Sequence, residues 1–182
     1  MSVPFSASHR LARGLWQFCW LCLCRWTPRP FHFWRVFILR LWGAKVGERC
    51  HVYAGAIIWA PWMLTLEDDA CIADGAEIYN VDHVTLEKRS VVSQGALLCT
   101  ASHDHRQEDF PLVHSPIRLG ERAWVAARAI VLPGVSLGDY AVAAAGSVIT
   151  RDIPAGCTSA GNPGRIVRQP EDQLCRPRLV AI

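Results

Sequence analysis

A triangular parallel β-solenoid preceded by a helical hairpin is the all-β architecture that the sequence predicts, on three observations. From residue 46 onward aliphatic side chains recur with a period of six, the residue four places later is usually small, and the first 47 residues follow another pattern, basic and rich in tryptophan. A helix needs apolar spacing near about 3.6 and a simple strand a spacing of about 2. A sustained six therefore means short strands that turn a corner after every hexad.

The bulk composition bounds what this chain can be. Its 182 residues leave room for one main core plus a small appendage, and 51% hydrophobic content argues against disorder. The net charge of +3 hides a split: residues 1–47 hold seven Arg or Lys and no acid, so the remainder is net negative by four. No nucleic-acid partner is expected from this balance. Eight cysteines could suggest a disulfide scaffold. Yet Leu15 to Cys24 is followed by Arg25, Pro28 and Pro30 rather than by a small-residue cleavage site, so a reducing cytoplasm is expected. The pair Cys19 and Cys22 in "CWLC" matches a redox or zinc half-site in letters only, because its neighbours are apolar and no second CxxC exists.

The amino-terminal segment, residues 1–45, is read as two helices. The eleven residues between Arg13 and Arg25 fall short of the ~18–20 that cross a bilayer. Pro28-Arg29-Pro30 then breaks the chain before "FHFWRVFILRLWGA", where Arg35 and Arg40 interrupt an apolar run and Gly43 offers a helix stop. Five of the eight tryptophans lie in the first 42 residues, beside arginines and no acid. Two readings follow: helices lying in the headgroup region of an anionic membrane, as a peripheral contact at its inner face, or helices that pack on the body and cap it.

The solenoid is expected over 46–170, with a tail over 171–182. Its aliphatic register runs through Val46, Val52, Ile58 and Leu64, resumes at Leu66, Leu86 and Leu119, and closes with Leu137, Ala143, Ile149 and Ala155. The small positions include Ala56, Ala76, Ala96, Ala129 and Ser147. Three hexads make a turn, which sets coil starts at 46, 66, 86, 119, 137 and 155, about five coils in all. Glycines in "GD" and "PG" pairs suit the corners. The step from 86 to 119 exceeds the 20-residue steps before it by thirteen residues, so one loop, 101–116, is extruded from the third coil. A polar loop of this length in a regular solenoid points to function.

That loop carries three histidines, and the segments around it carry a resemblance. "CTASHD" at the end of a coil, the block "VLPGVSLGDYAVAAAGSVITRDIPAG" and the closing "AGNPGRIV" resemble the hexapeptide-repeat acyltransferases. Within these the chain is most similar to the colanic-acid-biosynthesis O-acetyltransferases and more distantly to galactoside acetyltransferase. The resemblance implies a left-handed parallel β-helix assembled as a homotrimer, with coenzyme in the cleft between adjacent solenoids. It also implies acetyl-CoA as acyl donor, no metal, and a sugar or lipid-linked sugar acceptor in exopolysaccharide or glycolipid biosynthesis.

The resemblance makes His103 the general base. The chemistry agrees, because a sugar hydroxyl attacking a thioester needs a base that works near neutral pH, and imidazole supplies one. It sets Ala127, Ala145 and Thr150 against the pantetheine, and Arg151, Arg165 and Arg168 near the coenzyme phosphates, where guanidinium suits phosphate. Galactoside acetyltransferase carries a serine where this chain has Ala127, so only the amide could serve there as an oxyanion donor. On the acceptor side Asn80, on a corner one coil before the loop, is the candidate, together with Asp104, which could equally be a solvated loop acid. His105 and His114 are read as loop residues. Two alternatives stay open: a gamma-class carbonic anhydrase gathering zinc with His83, His103 and His105 or His114, and a non-catalytic solenoid that binds a partner through its basic start.

Overall fold

The computed structural model describes residues 6–170; the tail expected over 171–182 lies outside them. From Lys45 the chain winds as a three-sided prism. The first side stacks Lys45–Val46, Leu64–Leu66, Val84–Leu86, Ile117–Leu119 and Ser136–Leu137 in parallel. The second stacks His51–Val52, Cys71–Ile72, Val91–Val92, Trp124–Val125, Val142–Ala143 and Thr158–Gly161, with Gly164–Arg168 turning back antiparallel on the last. The third stacks Ile57–Ile58, Glu77–Tyr79, Leu97–Cys99, Ile130–Val131 and Val148–Ile149.

The hexad rule places one aliphatic residue per side inside the prism, joined on the first side by Leu64, Val84 and Ile117, and the registers are the sequence pattern made solid. Val46, Leu66, Leu86, Leu119 and Leu137 form one ladder, and Ile58, Ile78, Leu98, Val131 and Ile149 another. The small residues Ala56, Ala76, Ala96, Ala129 and Ser147 are buried at the corners. A larger side chain there would collide with the next coil.

Two details depart from the expected pattern. The last inward position of the first side is Ile153, which bridges Leu137, and not Ala155, which is exposed. Ile149 to Ile153 takes only four residues because the final corner is tightened, with the Asp152 carboxylate accepting the Ser136 amide at 2.8 Å. An isoleucine also fills an interior site that alanine would leave partly empty. The corners are likewise not all glycine. Arg49, Asp69, Arg89, Arg122, Arg128 and Tyr140 adopt positive φ beside Gly75, Gly95 and Gly146. A left-handed non-glycine residue costs about 1–2 kcal/mol. From the second coil on, the corner amide is tied to the coil below: Asp69 to Glu48, Arg89 to Asp68, Arg128 to Gln94.

The helices are α1 (Ala7–Leu23), capped by the Ser6 side chain, and α2 (His32–Leu41), which Gly43 ends at φ 87°. Their packing follows from the polarity of the solenoid edge. Alternate residues of each strand bond to the following coil, as the Tyr53 amide donates to Ile72 O and the Trp59 amide to Ile78 O. The residues between them, Val46, Val52 and Ile58 in the first coil, turn their backbone groups, carbonyls included, to an edge with no coil beneath it. On each side of the prism one such carbonyl is met by a side chain of the hairpin that can only donate. Arg40 donates to Val46 O at 3.0 and 2.8 Å, Arg35 Nε to Val52 O at 2.6 Å, and Trp16 Nε1 to Ile58 O at 2.7 Å. Trp16 and Arg35 are among the most deeply buried side chains of the chain, and Arg13 lies 4.0 Å over the Trp59 ring. Capping the body is what these helices do.

Candidate active site

The loop leaves the solenoid at a corner column that ends in two polar plugs. Ala60, Asn80 and Thr100 stack one coil apart, all fully buried. Asn80 accepts the Ala60 amide at 3.0 Å and donates to the Ala60 carbonyl at 2.6 Å, so both ends of its side chain hold the corner together. Thr100 Oγ1 donates to the Tyr79 carbonyl at 3.0 Å and accepts the Asp82 amide at 2.9 Å. Beyond Thr100 the chain runs out as an antiparallel hairpin, Ala101–His103 against Leu112–His114, and rejoins the first side at Ile117.

His103 sits at the outer end of that hairpin, exposed, its ring stacked on Phe110 at 4.9 Å and 14°. Its Nδ1 is 2.9 Å from the Phe110 carbonyl oxygen. A carbonyl can only accept, so Nδ1 carries a proton and the neutral form of the ring has its lone pair on Nε2. This is the tautomer a general base needs, and it answers what orients the ring. Phe110 offers its carbonyl from the left-handed region, at φ 47°.

Asp104, next in line, is committed to the loop. One carboxylate oxygen accepts the Arg106 amide at 3.0 Å and the other the Gln107 side chain at 2.8 Å. The Gln107 bond, followed by the Arg106 amide, holds its carboxyl below the usual value.

A second histidine of the loop is set beside the first by strand register. Residue 103 pairs with Leu112 and residue 114 with Ala101, so His103 and His114 share one face of the hairpin on a diagonal. Such neighbours are roughly 7–8 Å apart. His114 Nδ1 lies 2.8 Å from Asp82 Oδ2, while Asp82 Oδ1 accepts the His83 amide at 2.6 Å. Burial is the largest single influence on Asp82 and raises its pKa, but the His114 bond, the His83 amide and the two imidazoles together bring it below the ordinary value. Thirty-two residues separate this pair, and only the hairpin register brings it together.

The residues expected to hold coenzyme fall on two edges of the prism. Ala127 and Ala145 open stacked turns at the corner between second and third sides, joined by the Gly146 amide donating to the Ala127 carbonyl at 2.9 Å. Thr150 and Arg151 lie at the corner between third and first sides, the edge from which the loop emerges two coils below. Arg165 and Arg168 are exposed on the terminal antiparallel strand. That strand starts against the third side: a Cβ on Gly164 would lie 2.9 Å from Ile149 Cδ1.

Three of the four histidines named for a zinc site turn to different partners: His83 to Thr65, His103 to Phe110, His114 to Asp82. Among the described residues no three His, Cys, Asp or Glu side chains converge on a point where a metal ion could sit. The described cysteines, Cys19 and Cys22 included, are free thiols, and burial pushes Cys24 up to about 12. A cavity of about 530 Å³ lies between α2 and the first coil, lined by His32, Phe33, Arg40 and His51, well away from His103.

With this geometry in view, the similarities to known proteins are informative. A family profile described as hexapeptide repeat of succinyl-transferase matches residues 116–151. A protein of Escherichia coli K12 named as the colanic acid biosynthesis acetyltransferase WcaF is 36% identical over 170 residues, covering 92% of this chain and 93% of its own. Galactoside O-acetyltransferase of the same organism is 29% identical over 148 residues, 81% of this chain and 62% of its own. The hexapeptide-repeat acetyltransferase VCA0836 of Vibrio cholerae, solved with acetyl coenzyme A, superposes with a TM-score of 0.79 at 21% identity, over 90% of this chain and 89% of that one. The prism is thus the left-handed β-helix of those enzymes. By its repeats, its fold and its near full-length likeness to a curated relative, this chain belongs to the hexapeptide-repeat acetyltransferases.

Proposed function

We propose that the protein transfers the acetyl group of acetyl-CoA to a sugar hydroxyl, in exopolysaccharide or glycolipid biosynthesis. The observation that carries this is the Nδ1 bond of His103 to the Phe110 carbonyl, which leaves Nε2 as a poised base. His103 Nε2 takes the hydroxyl proton as the sugar oxygen bonds to the thioester carbonyl carbon. When the tetrahedral intermediate collapses, the carbon–sulfur bond breaks and the imidazolium returns the proton to the departing thiolate. The Ala127 amide serves the developing oxyanion, Ala145 and Thr150 line the pantetheine, and Arg151, Arg165 and Arg168 serve the phosphates. The acetyl coenzyme A complex of the structural neighbour supports the donor, and the names of the curated relatives support the acceptor class. Asp82 and His114 join the acceptor side, since Asn80 and Asp104 spend their polar atoms on the corner and the loop.

The working unit in this reading is a homotrimer, in which residues 46–170 form the catalytic solenoid. What supports it is the division of the expected residues between two edges of the prism. His103 of one solenoid would meet the Ala127 and Ala145 edge of the next. A lipid-linked acceptor, met through peripheral membrane contact of residues 1–45, completes the reading. Subunit complementation tests base and assembly together. His103→Ala should lower kcat by about 10²–10⁴ with acetyl-CoA affinity unchanged. Co-refolding it with Ala127→Trp, itself blocked at the donor edge, should restore about one quarter of the sites, those pairing an intact His103 with an intact Ala127. Full turnover by His103→Ala would remove the base, and an active monomer would remove the shared site.

A further inference from the structure

We propose that the outward surface of the helical hairpin is a docking face for an anionic phospholipid bilayer, a proposal that rests on the reading above for its purpose but not for its geometry. Each helix is apolar on two sides. In α1, Trp16 and Trp20 turn inward onto the solenoid, while Leu11, Leu15 and Phe18 make an outward stripe at helical spacing. In α2, Arg35, Val36 and Leu39 turn inward, while Phe33, Phe37 and Leu41 make the matching stripe. Trp26, in the connection between them, is 71% exposed, Phe33 69%, Phe18 67% and Leu41 66%. Large apolar side chains exposed to this extent and gathered on one appendage mark an interaction surface.

The charges around the stripes select the partner. Residues 1–47 contain no acid, and Arg10, Arg25, Arg29 and Lys45 are exposed. Arg35 and Arg40 turn to backbone carbonyls rather than to carboxylates, so neither guanidinium is hydrogen-bonded to an acid. A second copy docking face to face would set these arginines against their own images, which disfavours self-association. A bilayer with acidic headgroups accepts both features: the stripes enter the acyl boundary, and the arginines remain among the phosphates. Neither helix is long and apolar enough to cross a membrane, so the hairpin lies in the interface. Trp26 is on the outward surface, but the other tryptophans of the hairpin are not. Trp16 and Trp20 belong to the packing, and Phe18, Phe33, Phe37 and the leucines face out beside Trp26.

Vesicle flotation of the full chain tests this, with phosphatidylcholine vesicles prepared with and without phosphatidylglycerol. The chain should float with the anionic vesicles and do so less as salt is raised. The variant Phe18→Ser/Phe33→Ser/Phe37→Ser should partition about tenfold less or worse. It should keep its thermal transition and its acetyl transfer to a water-soluble sugar, because none of the three side chains is buried. Arg10→Gln/Arg25→Gln/Arg29→Gln should lose the preference for anionic vesicles. Undiminished flotation of the phenylalanine variant would overturn the proposal. So would a drop in its oligomeric state by sedimentation equilibrium, which would make the face a contact between subunits. Flotation without acetyl transfer would sink the enzymatic reading and leave the docking face standing; acetyl transfer without flotation would do the reverse.

Discussion

The helical cap and the solenoid are both largely apolar, yet they dispose of their apolar residues differently. In the solenoid the period of six leaves one inside position per side, and Ile72, Ile78, Leu86, Val92 and Leu98 fill such positions completely. In the cap, the inward faces are shared between apolar packing and donors, with Trp16 and Arg35 bonded to bare carbonyls of the first coil, while Phe18, Phe33 and Phe37 are left outside. The difference teaches that residue type alone does not tell inside from outside. Trp16 and Arg35 are inward here because each donates to a carbonyl that the open edge of the first coil leaves without a coil beneath it.

Two substitutions of similar size should break the two regions unequally. Leu98→Ala, in the middle of an inner ladder, should lower the unfolding free energy by about 3 kcal/mol, from lost transfer energy and a cavity that neighbouring coils cannot collapse into. Leu15→Ser, on the outward stripe of α1, should change it by less than about 0.5 kcal/mol. Urea unfolding measures both. Equal losses would mean that the outer face of the cap is buried in the assembled protein.

A smaller effect, confined to the seam between the regions, is expected from Arg35→Ala. The guanidinium joins Val52 of the first coil to Thr27, Pro28 and Arg29 of the helix connection. Burial pushes its pKa down from the usual arginine value, with no acid among its hydrogen-bond partners. Removing it strands several carbonyls and should cost about 2 kcal/mol. The loss should fall on the cap: fluorescence of Trp16, Trp20 and Trp42 should report loosening at a temperature where the circular dichroism of the solenoid is unchanged. A single shared transition would show that cap and prism unfold as one unit.

This comparison also explains what was legible beforehand. The prism could be read because its ladder residues recur at a fixed spacing and each coil contacts only its neighbours. The helices could be read from Pro28, Pro30 and Gly43. The slip from Ala155 to Ile153 could not, since two residues lost at a corner leave the hexad letters intact. Nor could the inward turn of Trp16, which depends on the Ile58 carbonyl that the first coil leaves at its open edge. Around the loop, His103 stood out by its junction and its family resemblance. Asn80 stood out as polar, and its column with Ala60 and Thr100 at 20-residue spacing was the available sign that it plugs a corner. The Asp82–His114 pair gave no local sign, because the register of the extruded hairpin creates it.

That pair sets the smallest expected effect, and the one that best separates the loop from the prism it stands on. His114→Gln keeps a polar side chain of similar length but loses the imidazole that Asp82 holds beside His103. With His103 and the donor edge untouched, KM for the sugar should rise roughly three- to tenfold, while kcat and KM for acetyl-CoA stay within about twofold. A fall in kcat alone would instead put His114 in proton transfer. The acid side supplies an independent check. Because the folded-state pKa of Asp82 is depressed, its contribution to stability is present above the unfolded carboxylate value, near about 4, and is lost as pH falls through the lower folded value. The Asp82→Asn variant lacks that contribution. Its melting temperature should lie below that of the parent at neutral pH, and the gap should close only in the acid range, below about pH 4. A gap that stayed constant down to pH 2 would mean that the carboxylate serves the fold without its charge, and the hairpin would then owe its position to backbone register alone.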